Sequence, residues 1–208
     1  MRFFFRREAG ITTCYCCPLN FSRRQLARSG GRGRNDLQTP AAATITVKAA
    51  SERDIELVQR LADETWRRHY PGILSAGQID YMLALGYSRE ALLKFVTSSD
   101  AGLALVLRDA RPVGFAAWYR LEGGQTAKLD KLYVLPQHHR EGIGRALIEH
   151  VFAWARAAGC SAVTLNVNRR NSSSVRAYER CGFAIREQGD FPIGNGFVME
   201  DFIMVRDL

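Results

Sequence analysis

Two glycines, Gly142 and Gly144, stand between an apolar segment and a stretch whose apolar residues recur with helical spacing. The N–H groups in the first turn of a helix have no acceptor within the helix, and they form the positive end of its dipole. Glycines at this point leave no side chain that would hold a phosphate away from those N–H groups. The residues from Leu132 to Leu147 therefore predict a strand, a turn and a helix whose first turn binds a pyrophosphate.

Two common phosphate-binding motifs do not fit this turn. A P-loop requires Gly-Lys followed by Ser or Thr, and the chain contains no such triplet. A dinucleotide-binding G-x-G-x-x-G motif would place its third glycine where Leu147 stands. That motif also needs an acidic residue about 20 positions later at the end of a strand, and none follows. Neither a nucleoside triphosphate nor a dinucleotide is predicted as the ligand.

A second pattern starts at Asn171, which is followed seven residues later by Tyr178 and then by Gly182 and Phe183. A phenol has an ordinary pKa of about 10, so it is protonated at neutral pH and can act as a general acid. A tyrosine on an amphipathic helix often serves only for core packing, and Tyr178 alone would not decide between these roles.

Together the two patterns resemble the GNAT family of N-acetyltransferases. The first signature of that family is a strand, the residues [QR]-x-x-G-x-[GA] and a helix, which here correspond to the segment from His139 to Gly144. The second is an asparagine, a tyrosine seven residues later and a Gly-Phe pair. The order of strands and helices over residues 44–205 also fits, so the resemblance covers essentially all of the chain beyond its first 40 residues.

The resemblance implies acetyl-coenzyme A as co-substrate. The pantetheine arm has two amides, which can replace a missing strand partner where a sheet splays. It would pair with the strand that ends at Val134, and the N–H groups of residues 139–144 would bind the pyrophosphate. The residues expected to bind the coenzyme are Leu132, Tyr133, Val134, His139, Arg140, Glu141, Gly142, Ile143, Gly144, Arg145, Asn171 and Tyr178.

The chain departs from the family at His139, where the family has arginine or glutamine. The next residue, Arg140, is basic but stands one position late. Because backbone N–H groups supply most of the contacts to the phosphates, we expect weakened rather than lost binding, with Arg140 or Arg145 adding charge.

By resemblance, Tyr178 is the general acid of a direct acetyl transfer. The base is less defined, since ribosomal-protein acetyltransferases of the family have a glutamate where Asn166 stands, and asparagine cannot take a proton. We predict Asp130, which lies on the strand beside the thioester; a solvated surface charge is an equal alternative for it. Glu200 and Asp201 are the other candidates, or the amine arrives neutral after desolvation. Cys160 and Cys181 have no histidine nearby in sequence, which disfavours a ping-pong mechanism through a cysteine.

The expected acceptor is a primary amine of a small molecule or peptide. Aromatic rings and carboxylates suit a cationic amine, and the residues predicted to bind it are Trp66, Tyr70, Tyr81 and Glu200. Packing in the core is the alternative for the aromatic residues. The segments 70–75, 80–82 and 196–202 also resemble bacterial acetyltransferases of small amines, some of which use polyamines.

These residues must be held by a regular framework, and the periodicity of the apolar residues predicts it. The order of elements indicates an α/β (α+β) protein with antiparallel hairpins and one parallel crossover. The resemblance implies a mostly antiparallel sheet of six to seven strands, flanked by helices and splayed between two central strands. The predicted strands are 44–48, 103–107, 113–121, 128–135, 163–167, 183–186 and 197–205, and the predicted helices start near 52, 75, 88, 142 and 172.

Residues 1–40 differ in composition from the rest. Eight arginines against two acids give them a net charge of +6, which leaves only +2 of the chain's +8 to residues 41–208. We predict a disordered basic extension followed by an N-acetyltransferase domain over residues 41–208, with an organelle transit segment, a nucleic-acid-binding arm or a start codon assigned too early as alternatives. A nearly neutral domain is not a general binder of polyanions, so no nucleic-acid partner is expected.

Three of the five cysteines, Cys14, Cys16 and Cys17, lie in the extension without the spacing of a zinc site, and no metal is predicted. No stretch is apolar enough for a secretory signal or a membrane span, so we expect a cytoplasmic protein without a membrane partner. It would be a monomer or homodimer. A non-catalytic sensor of acyl-coenzyme A on the same fold is the alternative function.

Overall fold

The computed structural model of the protein describes residues 15–16 and 43–208. Apart from these two N-terminal residues, the predicted disordered extension and the cysteine pattern within it lie outside the described residues, and both stay predictions. The strands are β1 (Tyr15–Cys16), β2 (Ile45–Ala49), β3 (Ala101–Arg108), β4 (Arg111–Arg120), β5 (Thr126–Val134), β6 (Ala162–Asn168), β7 (Ala184–Gly194) and β8 (Phe197–Asp207). The helices are α1 (Ile55–His69), α2 (Ala76–Tyr87), α3 (Arg89–Thr97), α4 (Ile143–Ala157) and α5 (Ser172–Arg180).

Seven strands form one sheet in the order β2-β3-β4-β5-β6-β8-β7, and β1 adds to β5 off this path. Within the seven-stranded path, β5 and β6 are the parallel neighbours and every other pair is antiparallel. The helix α4 forms the crossover between β5 and β6, as parallel strands require. The predicted fold class and the single parallel crossover are confirmed.

Serine caps start the first three helices. The Ser51 N–H donates to the Asp54 carboxylate over 2.8 Å in a capping box before α1. Ser75 and Ser88 accept hydrogen bonds from the backbone N–H groups of Gln78 and Ala91 at the starts of α2 and α3. Ser75 and Ser88 each satisfy an N–H group that a helix start leaves without an acceptor, so α2 and α3 begin where the sequence predicted them, whereas α1 begins at Ile55, after a 3-10 turn at Glu52–Asp54.

The longest departure from the predicted elements is β7, which runs to Gly194 instead of ending near 186. Its pairing with β8 shifts register between Ile185 and Glu187 and again between Pro192 and Gly194. A bulge inserts an extra residue and reverses the alternation of faces. The period of two residues is therefore broken along β7, and the pattern alone cannot reveal its length.

The sheet separates two apolar cores. One core packs α4 and α5 against one face and includes Leu132, Leu147 and Tyr178. The other packs α1, α2 and α3 against the opposite face and includes Trp66, Tyr133 and Met199. Because consecutive residues such as Leu132 and Tyr133 point to opposite faces, the strands of the middle of the sheet contribute to both cores.

The sheet opens between β5 and β6. These strands pair only over three residues each, from Thr126↔Ala162 to Lys128↔Thr164. Beyond that point β5 continues to Val134 beside β4, and β6 continues to Asn168 beside β8. The result is the splayed central pair that the resemblance implied, with an edge of β5 inside the sheet that β6 does not pair with.

Candidate active site at the sheet opening

The edge of β5 presents backbone groups to the opening. Leu135 donates its N–H to the Val113 carbonyl over 2.8 Å, and Gly114 lies opposite Val134 in the same register. In an antiparallel pair the residues alternate between facing the partner and facing away from it. The N–H and carbonyl groups of Leu132 and Val134 therefore point away from β4 into the opening, while those of Tyr133 pair with β4.

The strand β1 lies along this same edge. It pairs in parallel with β5 through Tyr15↔Lys131 and Cys16↔Leu132. Backbone groups of the chain's own N-terminal segment thus meet β5 where the coenzyme arm was predicted to pair. The two pairings would need the same N–H and carbonyl groups.

His139 lies against the end of β5, and its Nε2 is 2.9 Å from the Val134 carbonyl oxygen, to which it donates. Burial lowers the pKa of this imidazole, the charges of Arg140 and His138 lower it further, and the bond to Val134 opposes them. A histidine at this position thus orders the turn through an uncharged ring. No local pattern in the sequence signals this contact, because it depends on how the turn folds back on the strand.

The turn before α4 has the backbone that the glycine spacing predicted. Gly142 is the N-terminal cap of α4 with φ 83°, a left-handed conformation that favours glycine. The first intrahelical bond runs from the Ala146 N–H to the Gly142 carbonyl over 3.0 Å, so the N–H groups just before Ala146 have no acceptor within the helix. A Cβ added to Gly142 would meet no atom within 4 Å, so open space lies beside these groups.

Charged side chains surround the turn. Glu141 pairs with Arg108 and with His138 Nδ1, the latter over 3.5 Å, which ties the turn to the end of β3. Arg140 is exposed and has φ 68°. Arg145 is exposed as well and lies 3.7 Å from Glu149 on the next turn of α4. Both predicted sources of positive charge therefore lie on the surface beside the helix start.

Asn171 and Tyr178 lie at the two ends of α5. Asn171 caps the helix and accepts a hydrogen bond from the Ser174 N–H over 3.3 Å. Tyr178 is fully buried, and its ring lies edge-on to Phe183 with 5.6 Å between ring centroids. The motif therefore places the cap, the tyrosine and the Gly-Phe turn in one packed unit on the α4–α5 face of the sheet.

His69 joins this unit from α1. Its Nε2 lies 3.0 Å from the Asn171 side-chain nitrogen, which can only donate. Burial lowers the pKa of His69 to about 4, so the ring is neutral near pH 7. The sequence does not predict this contact, because His69 and Asn171 are 102 residues apart in the chain.

The carboxylate predicted as the base, Asp130, is buried on β5 and pairs with Lys131. Its exposed fraction of 5% excludes the alternative of a solvated surface charge. Lys131 in turn lies over the rings of Tyr87 and Phe95, at 5.2 and 4.9 Å from their centroids. An ion pair held on this side of the sheet explains the burial of Asp130, and its role as base stays a prediction.

A second buried polar group lies across the opening. Lys128 donates to the Asn166 side-chain oxygen. Asp201 on β8 is fully buried, close to the side-chain amide of Asn166. Burial raises the pKa of Asp201 to about 7, although the Asn166 amide and the charges of Lys128 and Arg169 favour its ionised form.

The residues predicted to bind the acceptor separate into two sets. Trp66 and Tyr70 are fully buried in the core under α1, with 4.4 Å between their ring centroids, and the Trp66 N–H donates to the Tyr87 hydroxyl over 3.1 Å. Tyr81 is only half-buried and donates to the Ile193 carbonyl over 2.7 Å. Glu200 is exposed, 3.8 Å from Arg169. The roles of all four in binding the acceptor stay predictions.

The described residues do not favour a cysteine nucleophile or a metal centre. Burial raises the pKa values of the Cys160 and Cys181 thiols, which opposes formation of a nucleophilic thiolate. No three His, Cys, Asp or Glu side chains in residues 15–16 and 43–208 converge in a way that could hold a metal ion. Within the same residues, every helix is too short or too polar to cross a membrane.

Comparisons with known proteins match most of the described residues. A family model described as "Acetyltransferase (GNAT) family" matches residues 58–183. An uncharacterized N-acetyltransferase of Mycobacterium bovis is 28% identical over 155 residues, which are 74% of this chain and 98% of that protein. The spermidine N(1)-acetyltransferase of Thermoplasma acidophilum is 27% identical over 161 residues, which are 76% of this chain and 96% of that protein.

Solved structures agree with this fold. The PaiA N-acetyltransferase of Thermoplasma acidophilum, crystallised in complex with coenzyme A, superposes with a TM-score of 0.69 at 26% identity and covers 79% of this chain and 99% of its own. The ribosomal-protein-S18-alanine N-acetyltransferase of Escherichia coli gives a TM-score of 0.60 at 18% identity, covering 79% of this chain and 94% of its own. The latter similarity concerns the fold alone.

Proposed function

Because this chain belongs to the acetyltransferase (GNAT) family, we propose that it transfers an acetyl group from acetyl-coenzyme A to a primary amine. The acceptor is a small molecule or a peptide, and transfer occurs by direct attack within a ternary complex. The observation that carries the proposal is the opening between β5 and β6, where the edge of β5 that has separated from β6 leads to the bare first turn of α4.

The residues at the opening fit the coenzyme. The outward-facing N–H and carbonyl groups of Leu132 and of Val134 suit an extended diamide such as pantetheine, although His139 already donates to the Val134 carbonyl. Open space beside Gly142 and the N–H groups at the start of α4 suit a pyrophosphate. Arg140 and Arg145 supply charge from the surface, and the coenzyme brings the activated acetyl thioester to this site.

Tyr178 is proposed as the general acid. When the amine has attacked and the carbon–sulfur bond breaks, the thiolate needs a proton, and the phenol can supply it. Burial of Tyr178 beside Phe183 holds the side chain in one position and keeps bulk water away from it. Asn171 caps the start of the same helix and so helps to hold the Tyr178 hydroxyl in position.

A polyamine is one candidate acceptor. The chain aligns with nearly the whole length of a spermidine N(1)-acetyltransferase. Tyr81, predicted to bind the acceptor, is partly accessible, whereas Trp66 and Tyr70 lie fully buried in the core under α1–α3. For an amine that reaches the opening from the α1–α3 side, Tyr81 is therefore the better candidate for a contact with its distal part.

Release of free thiol from acetyl-coenzyme A tests the proposal. The assay is run with spermidine, amino acids, aminoglycosides and peptides with free N-termini, and mass spectrometry identifies the acetylated product. Initial rates at varied concentrations of both substrates should give intersecting lines, as a ternary complex requires. Coenzyme binding without thiol release from any amine would instead indicate an acyl-coenzyme A sensor, and a lack of binding would refute both readings.

A further inference from the structure

We propose that Asp201 is the general base of this acetyl transfer and takes a proton from the attacking amine on the α1–α3 side of the sheet. This inference rests on the proposed function. The nitrogen lone pair forms the new carbon–nitrogen bond, the carbon–sulfur bond breaks, one N–H proton passes to the Asp201 carboxylate, and the thiolate receives a proton from Tyr178. The products are the acetylated amine and the free thiol.

The strand register places Asp201 beside the opening. Pairing between β5 and β6 ends at Thr164, and Asp201 lies opposite Asn168, four residues further along β6. It therefore stands next to the part of β6 that has separated from β5. Two hydrogen-bonded strands place directly opposite side chains on the same face, so Asp201 and Asn168 point the same way.

The face that Asp201 occupies follows from its neighbours on β8. Side chains alternate along a strand, so Asp201 shares a face with Met199, which belongs to the core under α1–α3. Tyr178 belongs to the core on the other face. The proposed base and the proposed acid therefore lie on opposite faces of the sheet. This arrangement lets an amine enter on one side while the thiol leaves on the other.

The surroundings of Asp201 suit a group that takes up and releases a proton. Its side chain is fully buried, and the side-chain amide of Asn166 on β6 is the hydrogen-bonding group that acts on its carboxylate. Burial raises its pKa to about 7, while Lys128, Arg169 and the Asn166 amide favour ionisation. Arg169 is shared with Asp190 and Glu200, at 2.5 and 3.8 Å, so its charge does not fully offset the burial. A pKa near the operating pH is what general-base catalysis favours.

The other candidate carboxylates are placed less favourably. Asp130 already pairs with the ammonium of Lys131, so protonating it would break a buried ion pair. Glu200 precedes Asp201 on β8 and therefore points to the opposite face, where it is exposed. Asn166, at the position of the family's glutamate, accepts a hydrogen bond from Lys128 and cannot accept a proton.

The test compares Asp201→Asn with Asp130→Asn in the full chain, using acetyl-coenzyme A and the best amine from the thiol-release assay. We expect Asp201→Asn to lower kcat roughly 10²- to 10⁴-fold and to abolish the rise of kcat around pH 7, with an unchanged Kd for coenzyme A measured by calorimetry. A double variant, Asp201→Asn with Asn166→Asp, returns a carboxylate to the neighbouring strand and should recover part of the activity. Asp190→Asn is the matched control, since it removes another carboxylate near Arg169 without touching the opening.

An Asp201→Asn enzyme that keeps wild-type kcat and its pH dependence would overturn the proposal, as would loss of the pH-dependent rise only in Asp130→Asn. A merely structural role for Asp201 would lower activity by the same factor at every pH. Failure of the proposed function looks different, because wild-type protein would then release no thiol at all. Circular dichroism spectra of both variants would establish that each is folded.

Discussion

The Asn171 side chain donates a hydrogen bond of 3.0 Å to His69 Nε2 and so joins the start of α5 to the end of α1. The same side chain caps α5 through its oxygen, which accepts from the Ser174 N–H. One buried amide thus connects helices on opposite faces of the sheet and holds the helix that bears Tyr178.

Asn171→Ala should lower the free energy of unfolding by about 1–2 kcal/mol, because it removes both the cap and the bond to His69. Asn171→Ser keeps a side-chain oxygen able to cap α5 but cannot reach His69, so its loss should be roughly half as large. Urea unfolding followed by tryptophan fluorescence measures both values. Equal losses for alanine and serine would show that capping contributes nothing here.

Gly142→Ala should weaken coenzyme binding. The backbone at Gly142 has φ 83°, so alanine strains the turn by about 1 kcal/mol and puts a methyl group into the open space beside the helix start. We expect the KM for acetyl-coenzyme A to rise about tenfold, which corresponds to about 1.4 kcal/mol.

Gly86→Ala is the matched control for that substitution. A Cβ at Gly86 also meets nothing within 4 Å, but this glycine lies in the helix α2 and its φ is not positive. Alanine there should stabilise the protein by about 0.5–1 kcal/mol and leave the KM unchanged. If both variants bind acetyl-coenzyme A as wild type does, the start of α4 does not hold the pyrophosphate.

Tyr178→Phe should remove the proposed acid while preserving the packing against Phe183. We expect kcat to fall about 10²- to 10⁴-fold with an unchanged Kd for coenzyme A, because the hydroxyl acts only as the thiolate leaves. Tyr119→Phe serves as a control, since Tyr119 packs against Phe95, 6.3 Å away between ring centroids and far from the motif in sequence. Near-normal turnover in Tyr178→Phe would assign the proton to another group, such as solvent.

Asp201 should make the stability of the protein depend on pH. Its pKa is raised from 3.8 to about 7 in the folded chain. Asp201 therefore does not lower the free energy of unfolding below pH 4, where its carboxyl is protonated in both states. The free energy of unfolding falls progressively as the pH rises towards 7, and it stays reduced at higher pH. The cost at pH 8 is on the order of 4 kcal/mol. Asp201→Asn avoids this cost, so its stability advantage over wild type should grow between pH 4 and 7 and then level off. Urea unfolding at a series of pH values measures the difference, and a constant difference would contradict it.

The fold and the glycine turn could be predicted because their signals are local. Serine caps, apolar periodicity and the Gly142–Gly144 spacing each specify a few neighbouring residues, and the helices and most strands follow from them. The charged residues of β5 were harder to place, because a solvated surface charge was an equal alternative for Asp130, yet Lys128, Asp130 and Lys131 are all buried. A register shift in the β4–β5 pairing lies at this point of β5, and no pattern of single residues marks it.

The polar part of the site was harder to predict because it depends on pairings between distant strands and helices. His69 meets Asn171 across 102 residues. Asp201 stood among three possible bases in the sequence, and only the register of β8 against β6 distinguishes its face from that of Glu200. Burial, which sets the pKa of Asp201, is a property of the assembled cores and not of the local sequence.

Removal of residues 1–42 should tighten coenzyme binding. β1 pairs with β5 at Lys131 and Leu132, on the edge where the outward-facing groups of Leu132 are proposed to bind pantetheine. A segment that occupies this edge for part of the time raises the apparent Kd by the inverse of the free fraction. The truncated protein should therefore show a lower Kd for coenzyme A in calorimetry and a lower KM for acetyl-coenzyme A, with an unchanged unfolding transition if residues 43–208 form the domain.

Two variants of the full chain separate this competition from other effects of truncation. Proline at both Tyr15 and Cys16 prevents strand pairing, since proline has no N–H group and a fixed φ, and it should reproduce the lower Kd. Alanine at both positions keeps the backbone N–H groups and should bind coenzyme A as wild type does. If the truncated and the proline-substituted proteins bind no more tightly than wild type, β1 does not compete for this edge, and the first 42 residues act elsewhere.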